Sequence, residues 1–190
     1  DAQQMLVVNK NKFPTGTLKD FVEMARQNPG KLNVATSGSG MNEKYFSLLN
    51  GVDIVVVPYS GAGDATKALV IGEVDLRSGS PDNLMPAALA GEVRVLAVTG
   101  AKRHPKLPDV PTTTEAGMPG YNETGMFGAF VGPRVPKDVV ARLNQALNKA
   151  AANPDLIKRL DGLGWSPVTS TPEQFHEDRK STRLNSSHGY

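Results

Sequence analysis

At 190 residues, with 39% hydrophobic and 21% charged side chains, the chain is long enough for one ordinary domain or two small ones, and no apolar run approaches the roughly 18 residues of a membrane span. It contains no cysteine, which excludes disulfides, thiolate metal sites and a cysteine nucleophile but leaves the compartment open. The net charge of +2 does not mark a nucleic-acid surface, because Arg179, Lys180 and Arg183 fall in an acid-free stretch of twelve residues at the end, and the rest carries 18 basic against 19 acidic side chains with no basic stripe among aromatics.

The opening segment lacks the basic stretch, apolar run and small-residue cleavage site of a secretory signal. Leu6 to Asn9 is a short β-branched run that predicts a strand, and Thr17 is a candidate cap for a helix carrying Leu18, Phe21, Val22 and Ala25 at helical spacing. Asn28-Pro29-Gly30 stops that helix, and Leu32 to Thr36 reads as the next strand. The rhythm continues with a helix over Asn42 to Leu49, a strand at Ile54 to Val57 and a helix from Ala62 to Ile71. After these come a strand at Val74 to Leu76, a helix around Leu84 to Ala90 and a strand at Val93 to Val98. Strands alternating with helices of about ten residues predict a mostly parallel sheet covered on both faces, so residues 6–100 are expected to form one compact α/β lobe.

From Gly100 to Gly120 the pattern breaks into a Pro- and Thr-rich connection, expected to cross between lobes. A strand near Phe127 to Val131 is expected next, then a helix from Pro136 to Ala152 with Val139, Val140, Leu143 and Leu147 on one face, Pro136 suiting its first turn. A helix over Leu156 to Leu163 follows, Thr171-Pro172-Glu173 opens another, and Trp165 is expected to fill core. Residues 179–190 have lost the apolar period, and two readings stand: a solvated native tail, or sequence foreign to the protein.

Catalytic chemistry finds little support. His104, His176 and His188 lie far apart, no metal-ligand spacing occurs, and His104, between Arg103 and Pro105, reads as a surface loop residue. Ser39 does not sit in G-x-S-x-G, and neither a P-loop nor a dinucleotide glycine fingerprint is present. No catalytic residue, metal site or cofactor is therefore assigned. What the chain does contain is glycine-rich turns that leave a strand and enter a helix: Thr36-Ser37-Gly38-Ser39-Gly40, then Pro58-Tyr59-Ser60-Gly61-Ala62-Gly63, and as a third candidate Arg77-Ser78-Gly79-Ser80. At the carboxyl ends of parallel strands such turns face small ligands. Free N–H groups at a helix start, aided by the helix dipole, favour an anion, and glycine admits it close to the backbone. Hydroxyls of Thr36, Ser37, Ser39, Tyr59 and Ser60 add donors. For any single turn, tight turning alone is a sufficient reason for glycine and serine; Tyr59 reads equally as a site residue or as packing on the sheet rim, and Arg77 reads either as a counter-charge to a carboxylate or, more commonly for an isolated arginine, as a solvated charge.

Nine segments in order, Leu6-Val-Val-Asn9, Asn28-Pro-Gly-Lys-Leu32, Thr36-Ser-Gly-Ser-Gly40, Val57-Pro-Tyr-Ser-Gly-Ala62, Gly72-Glu-Val-Asp-Leu76, Ala90 to Thr99, Leu107-Pro-Asp-Val-Pro-Thr112, Glu115-Ala-Gly117 and Ser170-Thr-Pro-Glu-Gln-Phe175, closely resemble the receptors of tripartite tricarboxylate transporters, the Bug or TctC family. The resemblance implies a periplasmic, two-lobed binding protein of type II fold that encloses a small carboxylate and delivers it to membrane transporter subunits. It implies a complete second lobe over residues 6–100, a crossing and part of the first lobe over 101–178, and a first-lobe portion upstream of this chain. The implied ligand loops are Thr36 to Gly40, Tyr59 to Gly63 and Ser78-Gly79-Ser80. Three departures stand out: the helix after Gly40 is short and lacks the family's serine and histidine, Arg77-Ser78-Gly79 replaces an apolar pair followed by an acid, and the segment after Asp178 matches nothing in the family. A transcription regulator's effector-sensing domain, which shares the two-lobed architecture, is the alternative function; an α/β enzyme comes third.

Overall fold

The computed structural model describes residues 2–122, 124–125, 128–161, 163 and 165–178; the expected tail at 179–190, His188 and Phe127 lie outside them. The chain divides into two compact units, Ala2–Met126 and Phe127–Tyr190.

In the first unit a five-stranded sheet has the order β4-β3-β5-β2-β6, from β2 (Met5–Asn9), β3 (Asn33–Thr36), β4 (Val55–Pro58), β5 (Leu76–Gly79) and β6 (Val93–Val98). A two-residue strand β1 (Ala2–Gln3) pairs antiparallel with β7 (Thr124–Gly125) beside it in the same unit. Strand β3 runs parallel to both β4 and β5, but β2 is antiparallel to both β5 and β6. The sheet is therefore mixed, with β2 running against the other four. The expectation of a mostly parallel sheet missed this because β2 is buried at all five residues. Such a run reads the same in either direction.

Alternation along the strands sends side chains to two faces. Leu6, Val8, Val34, Leu76 and Leu96 pack with Leu18, Phe21, Val22 and Ala25 of α1 (Leu18–Gln27) and with Phe46 of α2 (Met41–Asn50). Met5, Val7 and Ala35 pack on the other face with Ala65, Ala68 and Leu69 of α3 (Ala62–Ile71) and Leu84, Met85 and Ala87 of α4 (Pro81–Leu89). Helix α1 starts at a full capping box: the Asp20 N–H donates to Thr17 Oγ1 at 3.3 Å, and the Thr17 N–H returns to Asp20 Oδ2 at 2.6 Å. Buried Asn9 fastens the end of β2 to the end of α3, its Nδ2 donating to the carbonyls of Leu69 and Val70.

The first unit extends past the expected boundary near residue 100, because the proline-rich connection folds back on the sheet. The Thr113 N–H donates to the Val98 carbonyl at 2.8 Å, Thr113 Oγ1 donates to the Tyr121 carbonyl at 2.5 Å, and Met118 and Tyr121 enter the core. His104 is wholly buried in this segment rather than on a surface loop. Its Nδ1 accepts the Lys106 N–H at 3.1 Å, a turn that proline and the buried ring hold in place.

The second unit holds α5 (Lys137–Ala151), α6 (Pro154–Asp161) and a helix at 172–178, whose cap is Thr171, bonded reciprocally with Gln174. Pro136 stands at the N-cap, one position before the expected first turn. Residues 128–131 form no strand, and Trp165 is half-buried. Asn144 and Asn148 on α5 both donate to the Ser170 carbonyl, at 2.8 and 3.1 Å. No described residue of α5 or α6 is buried, and Leu143 and Leu147 on the apolar stripe are 45% and 51% exposed.

Burial, followed by the nearby Lys106 charge, lowers the His104 imidazole below its ordinary 6.5. The folded state therefore holds His104 neutral while the unfolded chain takes up a proton, so this contribution to stability is complete above about pH 6.5 and is lost as pH falls below it. The thermal midpoint should drop between pH 7.5 and 5.5. In His104→Asn, whose amide oxygen can still accept the Lys106 N–H, that drop should be smaller; an identical drop would place the proton uptake elsewhere.

Candidate functional site

Because β4, β3 and β5 are parallel neighbours, their carboxyl ends fall side by side on one edge of the sheet. From this edge the chain enters α2, α3 and α4. The three turns singled out from the sequence are thus brought together. Met5 pairs with both Gly79 and Val98, so the start of β2 and the end of β6 complete the edge.

None of these three helices has a side-chain cap at its N-terminus. Helix α1 leaves the antiparallel strand β2 at the opposite edge and is capped twice over. The first-turn N–H groups of a helix have no intrahelical acceptor, so the uncapped starts of α2 and α3 present donors along one rim; α4 adds the Asp82 N–H, since its first residue is Pro81 and its Asn83 and Leu84 N–H groups donate to the Ser80 carbonyl. An anion there gains about 0.3–1 kcal/mol per exposed helix end and up to about 2 in a partly buried one. Each helix also carries an acid in its first turn, Glu43, Asp64 and Asp82, which offsets part of this field. The Asp64 carboxylate is itself engaged, accepting the Ser60 hydroxyl at 2.8 Å.

The glycines separate into two kinds. Gly40 has φ +73°, and a Cβ there would meet Val56 at 3.4 Å, so the turn itself demands glycine. Gly38, Gly61 and Gly63 have no positive φ. Around Gly38 and Gly63 no heavy atom lies within 4 Å of a built Cβ, and around Gly61 only Asp64 Oδ2 does, at 4.0 Å. Neither turn geometry nor packing requires glycine at these three positions. What their small size provides is open backbone facing space.

The side chains around the edge are unequal. Ser37, Ser39 and Ser60 are exposed, and Ala62 is half-buried at the first position of α3. Thr36 is buried; its hydroxyl accepts the Gly38 N–H at 3.3 Å and bonds the Glu43 carboxyl. Tyr59 is half-buried and packs on the cluster that holds Ala65, Leu69 and Leu84. Burial first, then the charge and hydrogen bond of Glu73, raise its hydroxyl above the ordinary value. Ser78 Oγ is buried without a partner, Gly79 is buried against Leu84, and Ser80 Oγ accepts from Asn83 Nδ2 at 3.0 Å.

The burial of two charged residues was not legible in the sequence. Arg77 is 2% exposed and Glu43 5% exposed, so Arg77 is not a solvated charge. It stands in β5 opposite Ala35 of β3 and Val7 of β2, where neighbouring strands enclose it on both sides. The available signal was an arginine directly after an apolar strand residue, at a position where the alternating pattern continues inward. Burial raises the Glu43 carboxyl above its ordinary 4.5, against the hydrogen bonds from its own N–H and Thr36 and the charge of Arg77. Among the described residues no cluster of three His, Asp or Glu side chains suits a metal, and no helix is long and apolar enough to cross a membrane.

In open α/β folds, helix starts gathered at the carboxyl edge of parallel strands are where small molecules bind. The chain belongs to the tripartite tricarboxylate transporter family receptors, whose pattern matches residues 1–182, and it has the fold of periplasmic binding proteins. It is 39% identical over 169 residues to a UPF0065 protein in the tcbD-tcbE intergenic region of a Pseudomonas species, an alignment covering 86% of this chain and 50% of that protein. Two solved structures from Rhodopseudomonas palustris are similar throughout. MatC with bound malate is 32% identical with a TM-score of 0.81, covering 99% of this chain and 65% of that one. A second protein, solved with adipate, is 30% identical with a TM-score of 0.85, covering 95% and 61%. The chain spans about half the length of the curated relative and under two thirds of the solved structures.

Since burial raises the Glu43 carboxyl, its charged form is disfavoured by folding, and its contribution to stability is complete below about pH 4.5 and lost as pH rises. Glu43→Gln should therefore raise the thermal midpoint at pH 7, with the gain shrinking towards pH 4. Differential scanning calorimetry at both pH values checks this, and destabilisation at pH 7 would show that the carboxylate's attraction to Arg77 outweighs its desolvation.

Proposed function

We propose that the chain is the ligand-binding part of an extracytoplasmic receptor that captures a small carboxylate in the periplasm and delivers it to membrane transporter subunits. The observation that carries this reading is the row of three uncapped helix starts on one sheet edge, flanked by glycines with open backbone. In this reading the amides and hydroxyls of Thr36 to Gly40, Tyr59 to Gly63 and Ser78 to Ser80 receive the carboxylate. Relatives solved with malate and adipate support a carboxylate over other anions, and the family match supports a receptor over a regulator's effector-sensing domain. The unit Ala2–Met126 serves as the second lobe, and the later helices belong to the first.

Magnitudes argue that one edge does not suffice. Three helix ends at the favourable limit give about 6 kcal/mol, whereas a micromolar constant needs about 8 kcal/mol. Tight binding in this reading needs donors from the opposing lobe and the exclusion of water that enclosure brings.

Gly61 offers a clean test because its φ of −158° suits any residue and only Asp64 Oδ2 comes near a built Cβ. Gly61→Val should fold normally and yet block approach to the α3 amides. Titration calorimetry on the receptor at its natural length should show carboxylate affinity falling at least about tenfold, a change of 1.4 kcal/mol. Undiminished affinity in the folded variant would remove this turn from the site.

A further inference from the structure

Arg77 is the largest of the fully buried side chains. Its Nη1 donates to Thr66 Oγ1 on α3, but its Nε–H has no partner. Among the described residues no carboxylate lies within ion-pair distance of it; Glu43 and Asp82 act on it only from further away. A guanidinium does not shed its charge, and an ion buried without a partner costs several kcal/mol. The acid best placed to balance it, Glu43, is itself pushed towards neutrality by burial.

The head group has a definite aim. Its Cζ and Nη2 both lie 3.4 Å from where a Cβ on Gly79 would stand, so the guanidinium turns along β5 to the carboxyl edge, beneath the uncapped start of α4. Nε and Nη2 share the edge of the guanidinium away from Nη1, and that edge grips a carboxylate with two parallel hydrogen bonds. Any side chain at Gly79 would press on both the guanidinium and Leu84, whose Cδ1 is 3.0 Å from the same point. Glycine thus places no side chain of its own between the guanidinium and the turn.

We propose that the Nε/Nη2 edge of Arg77 is a subsite for a second acid group, which selects ligands carrying two carboxylates over those carrying one. One carboxylate rests on the starts of α2 and α3, and the other reaches past Gly79 to the fork. The inference rests on the carboxylate reading above and narrows it.

Calorimetric titration of the receptor at its natural length, with adipate against hexanoate and malate against 2-hydroxybutyrate, tests it. The unaltered protein should prefer each diacid by at least about tenfold, the factor that 1.4 kcal/mol supplies. Arg77→Met should abolish that preference and leave the monoacid affinities unchanged, which a general structural fault would not do. Arg77→Lys keeps the charge without the fork and should retain only part of the preference; it carries the test if circular dichroism shows Arg77→Met unfolded. A diacid preference undiminished in the folded variants overturns the subsite, as does an unaltered protein that binds monoacids and diacids equally; both outcomes leave the carboxylate reading intact. If the unaltered protein binds neither kind of acid, both proposals fall.

Discussion

The site depends on one constraint: β4, β3 and β5 run the same way. A helix that returns antiparallel to each strand must begin where the strand ends, so a common strand direction forces three helix N-termini onto one edge. Each brings N–H groups that its own helix cannot satisfy. Reversing any one of these strands would send its helix start to the far edge. The reversed strand β2 shows the consequence, since α1 starts away from the site and is closed off there by Thr17 and Asp20.

The edge combines these weak, additive donors with strong buried charge. Helix ends and exposed serines contribute modestly and suit any anion. Arg77 is different, because its charge is held where solvent scarcely screens it and its Nε–H has no partner. Thr66 anchors one nitrogen, and Glu43, tied to Thr36, stands near enough to temper the charge without neutralising it. In the proposed reading, affinity and selectivity have separate physical sources, one in the backbone and one in a side chain.

Much of the first unit was legible in the sequence. Helix α3 and strand β6 lie at Ala62–Ile71 and Val93–Val98 as read, because Gly61, Gly72 and Gly91 punctuate them sharply. Phe21 is core, as its spacing implied. Strand β5 was expected two residues early at its start and three at its end, since Ser78-Gly79-Ser80 looks like turn chemistry while Val74 looks like strand. The direction of β2 was invisible because burial on both faces erases the pattern that would reveal it. The proline-rich connection suggested a crossing, but its return to the sheet depends on Thr113, Met118 and Tyr121 finding partners far away in sequence. The burial of Arg77 and Glu43 was missed for the same reason: a charged residue advertises exposure, and only tertiary contacts show it buried.

The central claim, that carboxylates bind at the shared edge of β4, β3 and β5, is tested most directly by following backbone amide resonances of the receptor at its natural length during titration with malate. The account predicts saturable shifts of Gly38 and Gly40, Gly61 and Gly63, and Gly79 and Ser80, all fitting one dissociation constant, with the capped start of α1 at Leu18 and Lys19 unmoved. Saturable shifts confined to other parts of the molecule, or no saturable shift at any of the three turns, would contradict it.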